Sequence, residues 1–275
     1  MNSKAPLLIE DTNLSHAWGD AFLKIIDNSG EEISPLVITL SGFNNGFIDE
    51  DETIVKALDN CLSAHNKKTV SKVSETIFPS SMWELFKDNR QELFSNYIHS
   101  IKSAANRKDS CRYFERLIAF GSGPHNGNQL EHIISEYNSV YNSNTSKRTG
   151  VRKSMFQASI FDPKRDHKGN CIFLPFPCLG HISFVPNKDD KTLVLNAFYA
   201  TQQIFSKGYG NYLGLCNLGH FMALEMGLTF ERMNCFVGVE KLDEKINGKK
   251  IGSKSPILTP VIKVVRKALE AKPES

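Results

Sequence analysis

Two side chains in the second half of the chain have the chemistry to act on a small flat heterocycle. Cys178 follows Pro177 at the start of an apolar run, and Asn211 follows a glycine-rich turn and opens a second apolar run. A cysteine thiolate is a nucleophile, and a side-chain amide offers an acceptor and two donors to the edge of a ring. If both sit on rigid neighbouring elements, the pair suits chemistry on a planar ring.

Cys178 has two interpretations at this point. A cysteine at the edge of an apolar strand is often a small core residue. As a nucleophile, its thiol needs nearby cations or hydrogen-bond donors, because the ordinary pKa of a free thiol is about 8.5. His181, Arg152 and Lys153 are the candidates that the sequence offers, although it does not place them beside the sulfur.

The elements that must position these residues form a mixture of strands and helices. Short apolar runs separated by turn residues predict strands at residues 154–161, 171–176, 181–185, 193–199, 236–239 and 257–265. Apolar residues at helical spacing predict helices at residues 81–103, at Gln129–Tyr141, and at 212–226, where the helix is apolar on nearly every side. The pattern predicts an α+β fold in which a mostly antiparallel sheet packs against a central buried helix.

The order of these residues resembles the thymidylate synthase and pyrimidine hydroxymethylase superfamily. Pro177 and Cys178 match the first two positions of the family's P-C-H motif, whose cysteine adds to C6 of the pyrimidine ring. Residues 193–223 can be laid without a gap on the family's Q-R-S-x-D strand end, turn, asparagine and buried helix. Asn211 then falls on the asparagine that reads the base, and Thr201 falls on the serine.

Weaker matches extend the resemblance over residues 112–265. Asn128 and Gln129 resemble the family's D-Q helix start, and residues 113–116 resemble its Y-G-x-x-[WR] segment. Arg152 and Lys153 are the best candidates for the paired arginines that reach across a dimer to the nucleotide phosphate. Residues 1–100 show no convincing match, so we expect one domain over residues 1–275 whose first hundred residues are divergent or family-specific.

Several departures fall on the family's phosphate, sugar and folate contacts. Ala200 replaces the phosphate-binding arginine, a loss of a charge-assisted hydrogen bond that weakens affinity about 10- to 150-fold. Leu179 replaces the histidine of the P-C-H motif, and Gln203 replaces the aspartate that orients the pterin. The H-x-Y motif that holds the sugar hydroxyl is absent after Phe236. The family's closing tail has no counterpart after Val265.

The resemblance implies a divergent enzyme that transfers a one-carbon unit to C5 of a pyrimidine nucleotide or nucleoside. In this hypothesis Cys178 forms the covalent adduct, Asn211 reads the base, and Arg152, Lys153, Thr201, Gln203 and His181 bind the substrate. The family also uses a glutamate from an early helix in proton transfer, for which Glu75 and Glu84 are candidates. One rival hypothesis is a non-catalytic nucleotide-binding or sensing protein, and another is that Pro-Cys is a coincidence in an ordinary α+β core.

The family's one-carbon donor is methylenetetrahydrofolate, and the missing tail argues against this cofactor. The resemblance also implies a homodimer built through the sheets. The cysteine spacing and the net charge bear on two further kinds of partner, metal ions and nucleic acids. The six scattered cysteines lack CxxC spacing and argue against a zinc site, while the dispersed net charge of +3 argues against nucleic acid. The sequence has neither a signal-peptide pattern nor a membrane-length apolar run, which favours a reduced cytoplasmic protein.

Overall fold

A computed structural model describes residues 6–28, 32–87, 89–103, 113–141, 152–167, 177–243, 245–246 and 249–272. The strands are β1 Leu7–Asp11, β2 Leu36–Leu40, β3 Gln157–Ser159, β4 Leu179–Asn187, β5 Thr192–Tyr199, β6 Gln202–Gln203, β7 Thr229–Val237, β8 Glu240–Lys241, β9 Lys245–Ile246 and β10 Lys249–Lys250. The helices are α1 Leu14–Asp27, α2 Glu52–Ala64, α3 Val70–Ser74, α4 Ser80–Leu85, α5 Arg90–Ser103, α6 Tyr113–Ile118, α7 Gln129–Tyr141, α8 Pro163–Asp166, α9 Tyr209–Glu225 and α10 Thr259–Glu270. The predicted α+β class is confirmed in that the structure contains both helices and strands.

A six-stranded sheet in the order β1-β2-β7-β5-β4-β3 forms the centre of the fold. β1 runs parallel to β2 and β5 runs parallel to β7, while the remaining neighbours are antiparallel, so the sheet is mixed. Side chains alternate along each strand, and one set is buried, as in Ile38, Ala197 and Cys235 of three neighbouring strands. Residues before position 100 therefore supply two strands of this sheet.

Helix α9 packs on the buried face of the sheet, against β5 and β7. Its apolar residues surround the whole helix, as expected for a helix buried on all sides. Gly219 allows the close approach to β7, because a Cβ atom there would lie 2.1 Å from Cζ of Phe230. This contact fixes the depth of the helix, and it carries Asn211 at its first turn into the interior.

Several predicted elements are confirmed, and one is wrong. Helix α7 has the predicted bounds Gln129–Tyr141, and α9 begins three residues before the predicted helix at 212–226. The predicted strand at 257–265 is instead part of helix α10. Its β-branched residues suggested a strand, but Val261 and Val265 are spaced four apart and both are buried, which is helical spacing.

Other predicted boundaries shift. The helical pattern at 81–103 divides into α4 and α5, and the strand predicted at 154–161 is reduced to β3 after a 3₁₀ turn at Lys153–Met155. The predicted strand at 171–176 lies outside the described residues.

Within the described residues, no helix combines the length and apolar character that crossing a membrane requires.

The edge of the sheet next to the site is held by side chains, and among the described residues no further strand pairs with β3. The Gln129 amide nitrogen donates to the carbonyl oxygens of Ser159 (2.8 Å) and Arg116 (2.9 Å), and its Oε1 accepts from the Ser159 N–H at 2.8 Å. The buried Arg116 guanidinium forms two hydrogen bonds with Asp166 and a third with the Ile160 carbonyl. These contacts fix β3, and through it the start of β4.

Candidate functional site

Three backbone segments meet where β5 ends. The Ala200 N–H donates to the Cys178 carbonyl at 3.0 Å, and the Gly238 N–H donates to the Tyr199 carbonyl at 2.8 Å. The Gln202 N–H donates to the Val239 carbonyl at 2.9 Å, where β6 and β8 run parallel. The segment that follows Tyr199 is therefore held between Cys178 on one side and the start of β8 on the other.

A network of buried polar side chains fills the interior beside this junction. Asn211 Nδ2 donates to Gln202 Oε1 at 3.0 Å, and Gln202 Nε2 donates to Glu240 Oε2 at 3.3 Å. The Tyr212 hydroxyl donates to the same Glu240 oxygen at 2.9 Å. The network joins the first turn of α9 to β6 and β8, so the Asn211 amide is held in one orientation.

Glu240 is a fully buried carboxyl group. Burial raises the pKa of Glu240 to about 8, the nearby Asp243 charge raises it further, and the hydrogen bond from Tyr212 opposes the shift. Its Oε1 atom has no hydrogen-bond partner among the described residues. Glu240 therefore carries a proton at neutral pH, and that proton belongs on Oε1 because Oε2 already accepts two hydrogen bonds.

Cys178 is half-buried immediately before β4. Burial raises the pKa of its thiol, and the positive charge of Lys241 acts in the opposite direction. Lys241 is therefore a cation within electrostatic reach of the sulfur.

Tyr199 lies within electrostatic reach of both the Cys178 thiol and the Glu240 carboxyl group. Its side chain is fully buried, and its hydroxyl has no partner among the described residues. Burial raises the pKa of Tyr199 well above its ordinary value, and both Cys178 and Glu240 contribute to the shift. The phenol is thus a neutral hydroxyl within electrostatic reach of both groups.

The residues predicted from the sequence divide into two groups. Asn211, Thr201 and Gln203 lie at the junction with Cys178, and Gln203 Oε1 accepts from the Ser206 hydroxyl at 3.4 Å. His181 lies on β4 opposite Phe198, which is exposed on the sheet face opposite to α9; this face, on which Phe236 is also exposed among the described residues, is called the uncovered face below. Alternation along the strand places the His181 side chain on that uncovered face, and burial lowers its pKa.

Arg152 and Lys153 lie far from Cys178 within one chain. Both are exposed in the turn before β3. The next residue with a sheet contact, Phe156, accepts a hydrogen bond from the Phe184 N–H, five residues along β4 from Leu179. The five residues of β4 between Leu179 and Phe184 span about 17 Å. The two basic residues therefore lie near the end of β4 that is remote from Cys178, and their own chain does not bring them to the thiol.

The two glutamates considered for proton transfer also lie elsewhere. Glu75 accepts hydrogen bonds from the Ser81 N–H (2.9 Å) and hydroxyl (3.0 Å) at the start of α4. Glu84 forms a 2.7 Å ion pair with Lys87 on the surface. Both carboxylates have local partners, and neither belongs to the network around Asn211.

Sequence analysis missed Gln202, Glu240, Lys241, Tyr199 and Tyr212. Glu240 and Lys241 directly follow the predicted strand at 236–239, in the segment that lacks the H-x-Y motif. No spacing rule marks them, because β8 is only two residues long and its partner β6 is equally short. Their position depends on pairing between distant segments, which a local pattern does not contain.

Gln203, which the resemblance aligns with the family's pterin-orienting aspartate, does not offer a folate the same contact. Gln203 supplies an amide instead of a carboxylate, and its oxygen already accepts from Ser206. No group of three or more His, Cys, Asp or Glu side chains in the described part of the chain is arranged to hold a metal ion. No family model and no curated protein matches this chain.

Proposed function

We propose that this protein is a divergent thymidylate-synthase-like enzyme that transfers a one-carbon unit to C5 of a pyrimidine nucleotide or nucleoside. The observation that supports the proposal is the set of contacts at the end of β5, where the segment of residues 200–203 is bonded to the Cys178 backbone, pairs with Lys241 and accepts a hydrogen bond from Asn211. A thiol nucleophile beside a polar ring-reading group is the minimum that activation of a pyrimidine requires.

The chemistry assigned to the chain's own residues is activation of the ring. Addition of the Cys178 sulfur to C6 moves an electron pair onto C5 and the neighbouring carbonyl oxygen, and C5 attacks a one-carbon electrophile. Loss of the C5 proton and expulsion of the sulfur restore the ring. An electrophile at the oxidation level of formaldehyde gives a hydroxymethyl product without a redox partner, whereas a methyl product requires a hydride donor. No step is assigned to folate.

The electrostatics of the thiol favour a second candidate, a binding or sensing protein without turnover. Burial raises the pKa of Cys178, so the thiol is mostly protonated at neutral pH in the ligand-free chain. Lys241 acts against this shift. The two candidates differ in whether a covalent bond to Cys178 forms.

Trapping with 5-fluoropyrimidines separates these candidates. The protein is incubated with 5-fluorouracil, its nucleosides and their 5′-monophosphates, each with and without formaldehyde or methylenetetrahydrofolate, and the intact mass is measured. We expect an added mass in the wild type that is absent in Cys178→Ala and retained in Cys61→Ala, a control cysteine that lies on α2 outside the site. Binding without any adduct would favour the sensing protein, and neither binding nor adduct would overturn both.

We further propose a homodimer formed through the uncovered face of the sheet. Phe198 and Phe236 are stacked there with ring centroids 5.7 Å apart, and 44% and 41% of their surfaces are exposed. Beside them, Asn234 forms hydrogen bonds with Asn196 (2.9 Å) and Thr39 (3.1 Å). Neighbouring exposed aromatic side chains are typical of an interaction surface, and a second copy would cover them.

A further inference from the structure

A short hairpin between β2 and α2 lies against the second half of α9. Two backbone hydrogen bonds close it, one from the Asn44 N–H to the Phe47 carbonyl at 2.8 Å and one from the Phe47 N–H to the Asn44 carbonyl at 2.9 Å. Its central residues, Asn45 and Gly46, have φ angles of 49° and 84°, as in the tight turns that join antiparallel strands. Residues 42–48 are called the flap below.

The flap is anchored to the rest of the chain just before and just after it. The Ser41 N–H donates to the last carbonyl of β1 at 3.2 Å, and the Asp49 carbonyl accepts from the first N–H of α1 at 2.9 Å. Between these anchors, the Phe47 ring meets the His220 ring edge-on with the ring centroids 4.8 Å apart. A movement that leaves both anchors in place is therefore confined to the flap and breaks its contact with His220.

His220 is enclosed between the flap and α4. The residue is only 7% exposed, and a Cβ atom on Gly46 would lie 2.2 Å from its Cδ2 atom. On the other side, the Trp83 ring of α4 stands edge-on to the imidazole with centroids 5.4 Å apart. The flap can lie this close to the imidazole because its turn carries a glycine at the point of contact.

Two buried nitrogen atoms at this contact have no hydrogen-bond partner among the described residues, His220 Nδ1 and Trp83 Nε1. A neutral imidazole carries one proton, which can lie on Nε2 and leave Nδ1 as a bare acceptor. A protonated imidazole carries a proton on both nitrogens, so it would bury a charged N–H group at Nδ1 with no acceptor. An unpaired buried charge is much more costly than an unpaired neutral acceptor. The closed flap therefore favours neutral His220.

The charges around His220 do not offset this cost. Burial lowers the pKa of His220, Lys87 lowers it further, and Glu84 acts in the opposite direction. Lys87 and Glu84 form a 2.7 Å ion pair with each other at the end of α4. The flap contains no ionisable residue, and the titratable neighbour one turn back on α9 is Cys216, a thiol whose pKa is raised by burial.

We propose that the flap is a pH-sensitive switch, which stays closed over neutral His220 and is released when His220 takes up a proton. Release admits water to Nδ1, and water supplies the acceptor that the closed site lacks. The proton comes from solvent, and no covalent bond other than the new N–H bond changes. The inference is independent of the proposed function, because neither Cys178 nor Asn211 takes part in it.

The direction of the pKa shift sets the pH range of the switch. The ordinary pKa of histidine is about 6.5, and the pKa of His220 under the closed flap lies below it. The contribution of neutral His220 to the closed state is therefore complete above pH 6.5 and is lost as pH falls through the lowered pKa. We expect the flap to be closed at pH 7.5 and to open in acid.

Two measurements on the full chain follow the proton and the flap separately. NMR signals of the His220 ring report its protonation, and hydrogen exchange of the peptide spanning residues 41–51 reports the flap, after correction for the intrinsic pH dependence of exchange. Between pH 7.5 and pH 5 we expect flap protection to fall about 10-fold, because each pKa unit of coupling is a factor of ten. Protection of α9 should stay constant, which separates flap release from unfolding.

Three variants test the coupling. His220→Phe keeps an aromatic ring that takes up no proton, so its flap should stay closed over the whole range. His132→Phe is the matched control, because His132 Nδ1 is also buried without a partner among the described residues but lies on α7, and its flap should open as in the wild type. Gly46→Ala should hold the flap open at pH 7.5 and raise the pKa of His220 towards 6.5.

Several results would overturn the switch. These are protonation of His220 without loss of flap protection, a His220 pKa of 6.5 or more in the wild type, and acid opening that persists in His220→Phe. If His220→Phe does not fold, the wild type and Gly46→Ala still decide the question, because coupling between proton and flap is reciprocal. An unchanged pKa of His220 in a Gly46→Ala variant with an open flap would contradict the proposal.

Discussion

At the scale of single residues, the site combines groups whose protonation is shifted by burial. Cys178 and Glu240 both have raised pKa values, with desolvation as the largest cause in each case. The thiol is therefore a poor nucleophile until a charge or a ligand favours the thiolate. The carboxyl is a neutral group at pH 7 that keeps a fixed hydrogen-bond pattern.

The effect of Lys241 on the thiol is testable by alkylation. Lys241 lowers the pKa of Cys178, so Lys241→Met should raise that pKa and slow the reaction with iodoacetamide at pH 7.5 by about 2- to 5-fold. Peptide-level mass spectrometry follows Cys178 separately from the other cysteines. Lys188→Met, at the turn beyond the far end of β4, should leave the rate unchanged, and an equal effect of both variants would contradict the assignment.

Glu240 predicts a dependence of stability on pH. Its pKa is about 8 in the folded chain and 4.5 in the reference state, so the folded state binds the extra proton between these values. The stabilising contribution of this proton is complete below pH 4.5 and is lost as pH rises through about 8, with a slope of about 1.4 kcal/mol per pH unit between them.

Replacing Glu240 by glutamine should remove this slope. Free energies of unfolding by urea are measured from pH 5 to pH 9 for the wild type and Glu240→Gln. We expect the difference between the two proteins to shift in favour of the variant as pH rises through this window. A constant difference across the window would show that Glu240 is ionised in the folded state at every pH measured.

At the scale of elements, one glutamine side chain takes the place of a strand neighbour on the outer edge of β3, where the described part of the chain supplies no strand. Gln129 gives Ser159 both a donor and an acceptor, the same pair of bonds that an antiparallel strand would provide. The sequence match at Asn128 and Gln129 predicted only the start of a helix. In the fold, the Gln129 side chain also holds an edge of the sheet.

Removal of this side chain should loosen the edge next to the site. Gln129→Met keeps the volume but leaves the Ser159 N–H and carbonyl unpaired, which should cost about 2–3 kcal/mol of stability. Hydrogen exchange at Ser159 and Ile160 should become faster than in the wild type. Ser139→Ala, on the exposed side of the same helix, is the control and should change neither quantity.

At the scale of the whole molecule, the sheet has one face under α9 and α1 and one that carries stacked phenylalanines. Arg152 and Lys153 lie at the far end of β4 from Cys178, so a phosphate contact by these residues within the proposed site requires a second chain. The homodimer proposal and the proposed roles of the two basic residues therefore depend on each other.

The dimer is tested by placing charge on the uncovered face. Phe198→Lys with Phe236→Lys should convert a dimer into a monomer, measured by light scattering after size-exclusion chromatography, because two buried aromatic surfaces are replaced by repelling charges. Leu85→Lys, at an exposed position distant from the sheet, should leave the mass unchanged. A wild type that is monomeric at micromolar concentration would contradict the proposal.

The sequence by itself determined the elements whose signal is local. Helix α7 could be predicted to its bounds because its apolar residues recur at helical spacing, and α9 because its apolar character continues around all sides. Cys178 and Asn211 could be selected because each opens such an element. Periodicity failed at α10, where β-branched residues favour a strand and only burial of one face against α1 and α2 decides for a helix.

Only the tertiary structure decided which polar groups surround these two residues. Gln202 and Glu240 are 38 positions apart and meet because two very short strands pair in parallel, and the same pairing brings Lys241 within electrostatic reach of the thiol. Such contacts depend on how distant segments cross at the end of a sheet, and a short strand carries too few residues for its pattern to reveal its neighbour. The pKa values that govern the site follow from that burial.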